Sequence, residues 1–192
     1  MIIAGVDEAG RGPLAGPVVA AAVVLPDVAR LEGISIRDSK QLSAKDRLIA
    51  EQAIRRAALG WAIGAASPFE IDQFNIHEAT LLAMRRAVLG LSLRPDRVLV
   101  DGRFVPNIDF PAEAIVGGDR SEQTISAASI LAKVFRDRYM RFLDERYPGY
   151  AFSRHNGYPT KHHLSALLDL GPCPEHRRSF APVRRLLEKA LG

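Results

Sequence analysis

The sequence predicts an α/β fold built on a mixed five-stranded sheet flanked by helices, and three observations carry that expectation. Short apolar runs rich in β-branched residues alternate with longer runs at helical spacing. The first two short runs are joined by a Gly/Pro loop that favours an antiparallel pair. Two of the runs, ending at Asp7 and Asp101, finish in acids with glycine close behind, which suits a sheet that presents a site at its strand ends.

Taken in order, residues 2–6 read as a buried strand, with Asp7 and Glu8 at its end and glycines at 10, 12 and 16 just beyond. Residues 17–25 form the second apolar strand. Residues 26–42 read as loop and contain Arg37-Asp38-Ser39-Lys40. Ser43-Ala-Lys-Asp46 opens a capped helix to about residue 59, and residues 61–67 read as a third strand. Pro68 starts a long helical region up to Gly90, with Ile76, Leu81, Leu82, Met84, Val88 and Leu89 as its apolar face. Residues 97–101 form the fourth strand, and residues 114–119 repeat its arrangement more weakly, ending at Asp119. The longest helix falls within residues 121–147 and stops at Pro148-Gly149. After a turn-rich segment from His155 to Thr160, Thr160 caps a helix to about Leu170, and residues 182–191 form a last amphipathic helix. The whole of 1–192 is expected to be a single domain, with residues from about 148 to 192 as a C-terminal helical extension.

Composition narrows the setting. The one cysteine, Cys173, excludes an internal disulfide, and no stretch approaches the roughly 20 apolar residues of a membrane span, so a soluble cytoplasmic protein is expected, and it is read as a monomer. The net charge is only +4, but its distribution is uneven. Residues 1–119 carry 13 basic and 15 acidic side chains, net −2, whereas residues 120–192 carry 13 and 7, net +6. A basic half beside an acidic site suits a polyanion held by its phosphates, although an arginine-rich solvated surface would have the same composition.

Asp7, Glu8, Asp101 and Asp119 form an acid-only set. The first strand and the Asp101 strand are expected side by side and parallel, which brings Asp7 to Asp101. Hard oxygen donors suit Mg²⁺ or Mn²⁺, and a pair of such ions can promote phosphodiester hydrolysis. Neighbours on a regular strand point to opposite faces, so Asp7 and Glu8 can share a site only at a strand end or a bulge.

Residues Asp7-Glu-Ala-Gly-Arg-Gly-Pro-Leu-Ala-Gly-Pro-Val18 closely resemble the opening signature of ribonuclease HII, the type 2 ribonuclease H of bacteria. Asp38-Ser-Lys-Gln-Leu42, Val100-Asp-Gly102, Ser126-Ala-Ala-Ser-Ile-Leu-Ala-Lys-Val134 with Arg136-Asp137, and His155-Asn-Gly-Tyr-Pro-Thr160 agree with the family in order. The resemblance implies a ribonuclease H-like fold and endonucleolytic cleavage of the RNA strand in RNA/DNA hybrids. It also implies cleavage 5′ of single ribonucleotides embedded in duplex DNA, leaving 5′-phosphate and 3′-hydroxyl ends. Asp7, Glu8 and Asp101 match the family's metal-binding acids. Asp119 is the best match for the fourth, with Asp137, which has Arg136 and Arg138 beside it as pairing partners, as competitor. The resemblance further assigns reading of the ribose 2′-hydroxyl to the backbone of Gly10-Arg11-Gly12 and to Tyr158. Lys40 and Lys133 are candidate phosphate contacts, with Arg136 and Arg154 behind them. The histidines are expected to make loop hydrogen bonds without ligating metal, and Cys173 to lie without a base beside it.

Overall fold

A computed structural model describes residues 1–26 and 42–191; the Arg37–Lys40 segment, and with it Lys40, lies outside the described residues. Among the described residues five strands form one mixed sheet in the order β3-β2-β1-β4-β5. Strands β1 (Ile3–Ala9), β2 (Val18–Val24) and β3 (Gly60–Ala66) pair antiparallel, and β4 (Arg97–Asp101) and β5 (Ala112–Ile115) add on parallel to β1. Helix α1 spans Ala44–Ala57 and α2 Pro68–Leu89; α3 (Gly118–Ser121) and α4 (Gln123–Arg146) follow the sheet, then α5 (Phe152–His155), α6 (Lys161–Leu170) and α7 (Ala181–Leu191).

β2 shows why the sheet is covered on both faces. All seven of its residues are buried. Val18, Ala20, Ala22 and Val24 pack with Ala79, Ala83 and Ala87 of α2, while Val19, Ala21 and Val23 pack with Ile54 of α1 and with Ala127, Ala128 and Leu131 of α4. This is strand alternation with both sides apolar, as sheets clad by helices require. Small residues set the helix distances: a Cβ on Gly64 would lie 2.1 Å from the Ala83 carbonyl oxygen, and one on Gly5 2.2 Å from the Thr124 carbonyl carbon.

Several expectations change. The fifth strand ends at Ile115, and Gly117, at φ 72, turns the chain so that Asp119 belongs to α3 rather than to a strand end. Helix α2 is interrupted at Asn75, whose φ of 73 breaks the helix and whose Oδ1 accepts from the His77 and Glu78 N–H groups, capping the second half. The turn-rich stretch is preceded by the short helix α5, entered through Ala151 at φ 57. Ser43 and Thr160 cap their helices as expected, and Ser67 with Glu70 forms a full capping box. Residues after α4 fold back on the loop that follows β1: Leu14 packs with Leu167 and Val183, and Ala15 with Met140, Leu143 and Phe152.

Candidate active site

β1 and β4 run parallel with Val6 opposite Val100, so one step further places Asp7 beside Asp101. The ladder to β2 continues unbroken through Asp7, Glu8 and Ala9, so no bulge turns the two acids to one face. Ala4 and Val6 face α2 and Gly5 faces α4; by alternation Glu8 leaves β1 on the α2 side and Asp7 on the α4 side. They meet because β4 stops at Asp101, where Gly102 at φ 100 turns away and leaves the end of the sheet open.

The electrostatics follow from that convergence. Asp7 is only 5% exposed. Burial first, then the Glu8 and Asp101 carboxylates, push its carboxyl well above the usual range, against the Glu8 N–H (2.7 Å) and the Ser129 hydroxyl of α4. Burial also raises Glu8, with Arg11, 3.7 Å away, opposing and Asp101 adding to the rise. A cluster in which the Asp101 charge raises both neighbouring carboxyls is a donor set suited to a divalent cation, whose charge would relieve the repulsion. Among the described residues no three His, Cys, Asp or Glu side chains form a ready-made metal cage. That is compatible with Mg²⁺, which binds through one or two carboxylates and completes its shell with water and substrate phosphate.

Asp119 is buried, and its N–H donates to Asp101 Oδ1 at 3.3 Å while Ser126 Oγ donates to its carbonyl at 2.7 Å. Its competitor Asp137 accepts from Lys133 Nζ at 2.5 Å and lies 3.7 Å from Arg47. The pairing partners expected for Asp137 are engaged elsewhere. Arg138 forks onto Glu51, and Arg136, buried, donates to the carbonyls of Pro17, Ala15 and Asn156. Arg136 therefore ties α4 to the loop after β1 and to Asn156.

Glu8, Gly10, Arg11, Gly12, Lys133 and Tyr158, together with Arg47, Ser129 and Arg136, line one cavity of about 380 Å³. Gly10, at φ 93, lies so close to Arg136 that a Cβ would fall 2.0 Å from its Nε, and a Cβ on Gly12 would touch the Tyr158 ring at 3.4 Å. The loop after β1 and the half-exposed Tyr158 thus face each other beside Glu8. Arg47, which the sequence shows only as one charge on an amphipathic helix, joins the same wall. Arg154 is exposed.

Behind Tyr158 lies a buried histidine chain. The Cys173 N–H donates to His176 Nδ1 (3.0 Å), which leaves the proton on His176 Nε2 to donate to His163 Nε2 (3.1 Å); His163 Nδ1 then donates to the Tyr158 carbonyl (2.9 Å). This tautomer assignment satisfies every partner with both rings neutral. A base does stand beside Cys173, since its Sγ is 3.2 Å from His176 Nδ1, but burial raises the thiol. Burial, then His163, lowers His176 to about 4, and burial likewise lowers His163 and His155.

The unfolded chain protonates His176 below about 6.5, whereas the folded chain resists until about 4. The unfolded state therefore binds more protons between these values, and stability is lost as pH falls through that window. The raised Asp7 and Glu8 act oppositely, so the expectation applies to an Asp7→Asn, Glu8→Gln background. From pH 7.5 to 5 urea stability should fall by about 2 kcal/mol from His176 alone. A flat midpoint there contradicts a neutral buried relay.

Comparison with known proteins gives one consistent result. The family model described as Ribonuclease HII matches residues 4–183. A protein named Ribonuclease HII from Acidovorax sp. (strain JS42) is 59% identical over 191 residues, covering 100% of this chain and 90% of that protein. Among solved structures, the ribonuclease H2 from Pyrococcus horikoshii OT3 superposes with a TM-score of 0.84 at 28% identity, covering 98% of both chains. The ribonuclease HII in a PCNA complex from Archaeoglobus fulgidus superposes with a TM-score of 0.80 at 26% identity, covering 94% of this chain and 96% of that one.

Proposed function

The chain belongs to the ribonuclease HII family, and on that premise we propose that it cuts on the 5′ side of single ribonucleotides embedded in duplex DNA as well as within longer hybrids. It has the ribonuclease H-like fold and is a metal-dependent endoribonuclease acting on RNA/DNA hybrids. The observation that carries the finer reading is that Glu8, which together with Asp101 raises the buried Asp7 carboxyl beside it, lines the same cavity as the Gly10–Gly12 loop and Tyr158.

In this reading Asp7, Glu8, Asp101 and Asp119 hold two Mg²⁺ or Mn²⁺ ions. When bound, these supply the positive charge that activates water and stabilises the attacking and leaving oxygens. The carboxylates, carried by the ends of β1 and β4 and by α3, fix where the scissile phosphate sits. Lys133, steadied by Asp137, contacts a neighbouring phosphate, and Lys40 is assigned a similar role by family resemblance alone. Such contacts set register and orientation without reading sequence. The Gly10–Gly12 backbone reads the 2′-hydroxyl that separates RNA from DNA, and the Tyr158 ring packs on the adjoining deoxyribose while its phenol adds a hydrogen bond. The protein acts as a monomer with one catalytic domain over 1–192. Its extension from about residue 148 closes behind the loop after β1.

The discriminating assay offers a long RNA/DNA hybrid, the RNA alone and an all-DNA duplex, each with Mg²⁺, Mn²⁺ or chelator. Only the hybrid with metal should be cut. Cleavage of RNA alone, or cleavage in chelator, contradicts the reading. Tyr158→Ala should lower kcat/KM on a duplex with one ribonucleotide by about a hundredfold, since ring packing and a hydrogen bond are both lost, and Tyr158→Phe by about fivefold. Long hybrids should suffer less. Equal losses on both substrates would count against a role at the ribose–deoxyribose junction.

A further inference from the structure

Arg177 is fully buried, yet its bonded partners are main-chain carbonyls rather than a carboxylate. Its Nε donates to Gly16 O (3.0 Å), Nη1 to Arg11 O (2.9 Å) and Nη2 to Gly10 O (2.6 Å). Its own N–H donates to Leu14 O at 2.8 Å, and the preceding His176 bridges Ala15, so the segment lies antiparallel along the loop after β1. A planar fork that fixes three carbonyls at once is a geometry only arginine provides. Burying a guanidinium is costly, and a packed apolar side chain would fill the space without that cost.

The direction of the carbonyls gives the cost a purpose. In a trans peptide the C=O of one residue and the N–H of the next point opposite ways. Gly10 O and Arg11 O are drawn inward onto one guanidinium, so the N–H groups of Arg11 and Gly12 point outward, on the side where the loop lines the cavity with Tyr158.

We propose that Arg177 is a positioning residue for ribose recognition: by holding the Gly10 and Arg11 carbonyls from behind, it presents the Arg11 and Gly12 N–H groups to the 2′-hydroxyl. The proposal rests on the reading of the Gly10–Gly12 loop given above. Arg177 does not touch substrate. Its own segment is steadied from outside by Asp72, whose carboxylate accepts from the Arg178 N–H (2.9 Å), the Ser179 N–H (2.8 Å) and the Ser179 hydroxyl (2.6 Å).

The test is binding in chelator, where no cutting occurs, to two DNA duplexes of one sequence that differ by a single ribonucleotide. The ratio of their Kd values measures the 2′-hydroxyl alone. Wild type should favour the ribonucleotide duplex by about tenfold, the size of one or two hydrogen bonds. Arg177→Lys keeps the charge but not the fork, and should bring the ratio close to one while leaving all-DNA affinity unchanged. Asp72→Ala, a change at a half-buried position that loosens the same segment, should lower the ratio about threefold and decides the matter alone if Arg177→Lys does not fold. A wild-type ratio of one would sink the loop reading itself. A wild-type preference that survives in the folded variants, or an equal loss of both affinities, would overturn the role given to Arg177.

Discussion

Asp101→Asn is expected to lower the rate of hybrid cleavage by about a thousandfold or more while leaving hybrid affinity within about threefold of wild type. The carboxylate is assigned to metal and charge, and several kcal/mol of transition-state stabilisation correspond to that factor. Asparagine has the same shape, and its amide oxygen still accepts the Asp119 N–H that Asp101 Oδ1 now takes at 3.3 Å. The fold should therefore survive. Removing this charge also relieves the repulsion that helps to raise both Asp7 and Glu8, so the metal-free variant should melt at or above the wild-type Tm. Lost turnover with undiminished stability distinguishes a functional carboxylate from a structural one. Wild-type turnover in Asp101→Asn would remove it from the site.

Gly5→Ala should have the largest effect on the fold. The added Cβ would lie 2.2 Å from Thr124 C, 2.4 Å from Ile125 N and 2.6 Å from Thr124 Cβ. Two of these are backbone atoms in the first turn of α4, which no rotamer change can move. Overpacking of this kind costs about 3 kcal/mol, which for a chain of this size lowers Tm by roughly 10 °C. The consequence reaches the site because α4 carries Ser129, whose hydroxyl bonds Asp7. A shift of about 1 Å in α4 should reduce kcat by about a hundredfold even where the protein remains folded. Unchanged Tm and activity would show that the approach of α4 to β1 is looser than the structure describes.

Much of this was legible in the sequence because the signals are local. Apolar runs mark β1 to β4, side-chain caps mark α1 and α6, Pro68 marks the start of α2, and acids with glycine close behind mark the strand ends that meet at Asp7 and Asp101. What was not legible depends on distant partners. An arginine in sequence reads as surface charge, and nothing near Arg136 or Arg177 announces that their hydrogen-bond acceptors lie 121 or 167 residues away. Asp119 was expected at a strand end because Val116 continues an apolar run, but Gly117 in the left-handed region ends the strand first and starts a helical turn. The junction of Asp7 and Glu8 has the same origin: β1 stays regular, and the early end of its neighbour β4 brings the two acids together.

The most direct measurement is incubation with a DNA duplex carrying one ribonucleotide, in Mg²⁺, Mn²⁺ or chelator, with the cut mapped to the nucleotide and its ends identified. The account predicts a single metal-dependent cut immediately 5′ of the ribonucleotide, leaving a 5′-phosphate on the ribonucleotide side and a 3′-hydroxyl on the other, with no cut in the all-DNA control. A cut on the 3′ side, a cyclic phosphate end, or equal cutting of the all-DNA duplex would contradict it.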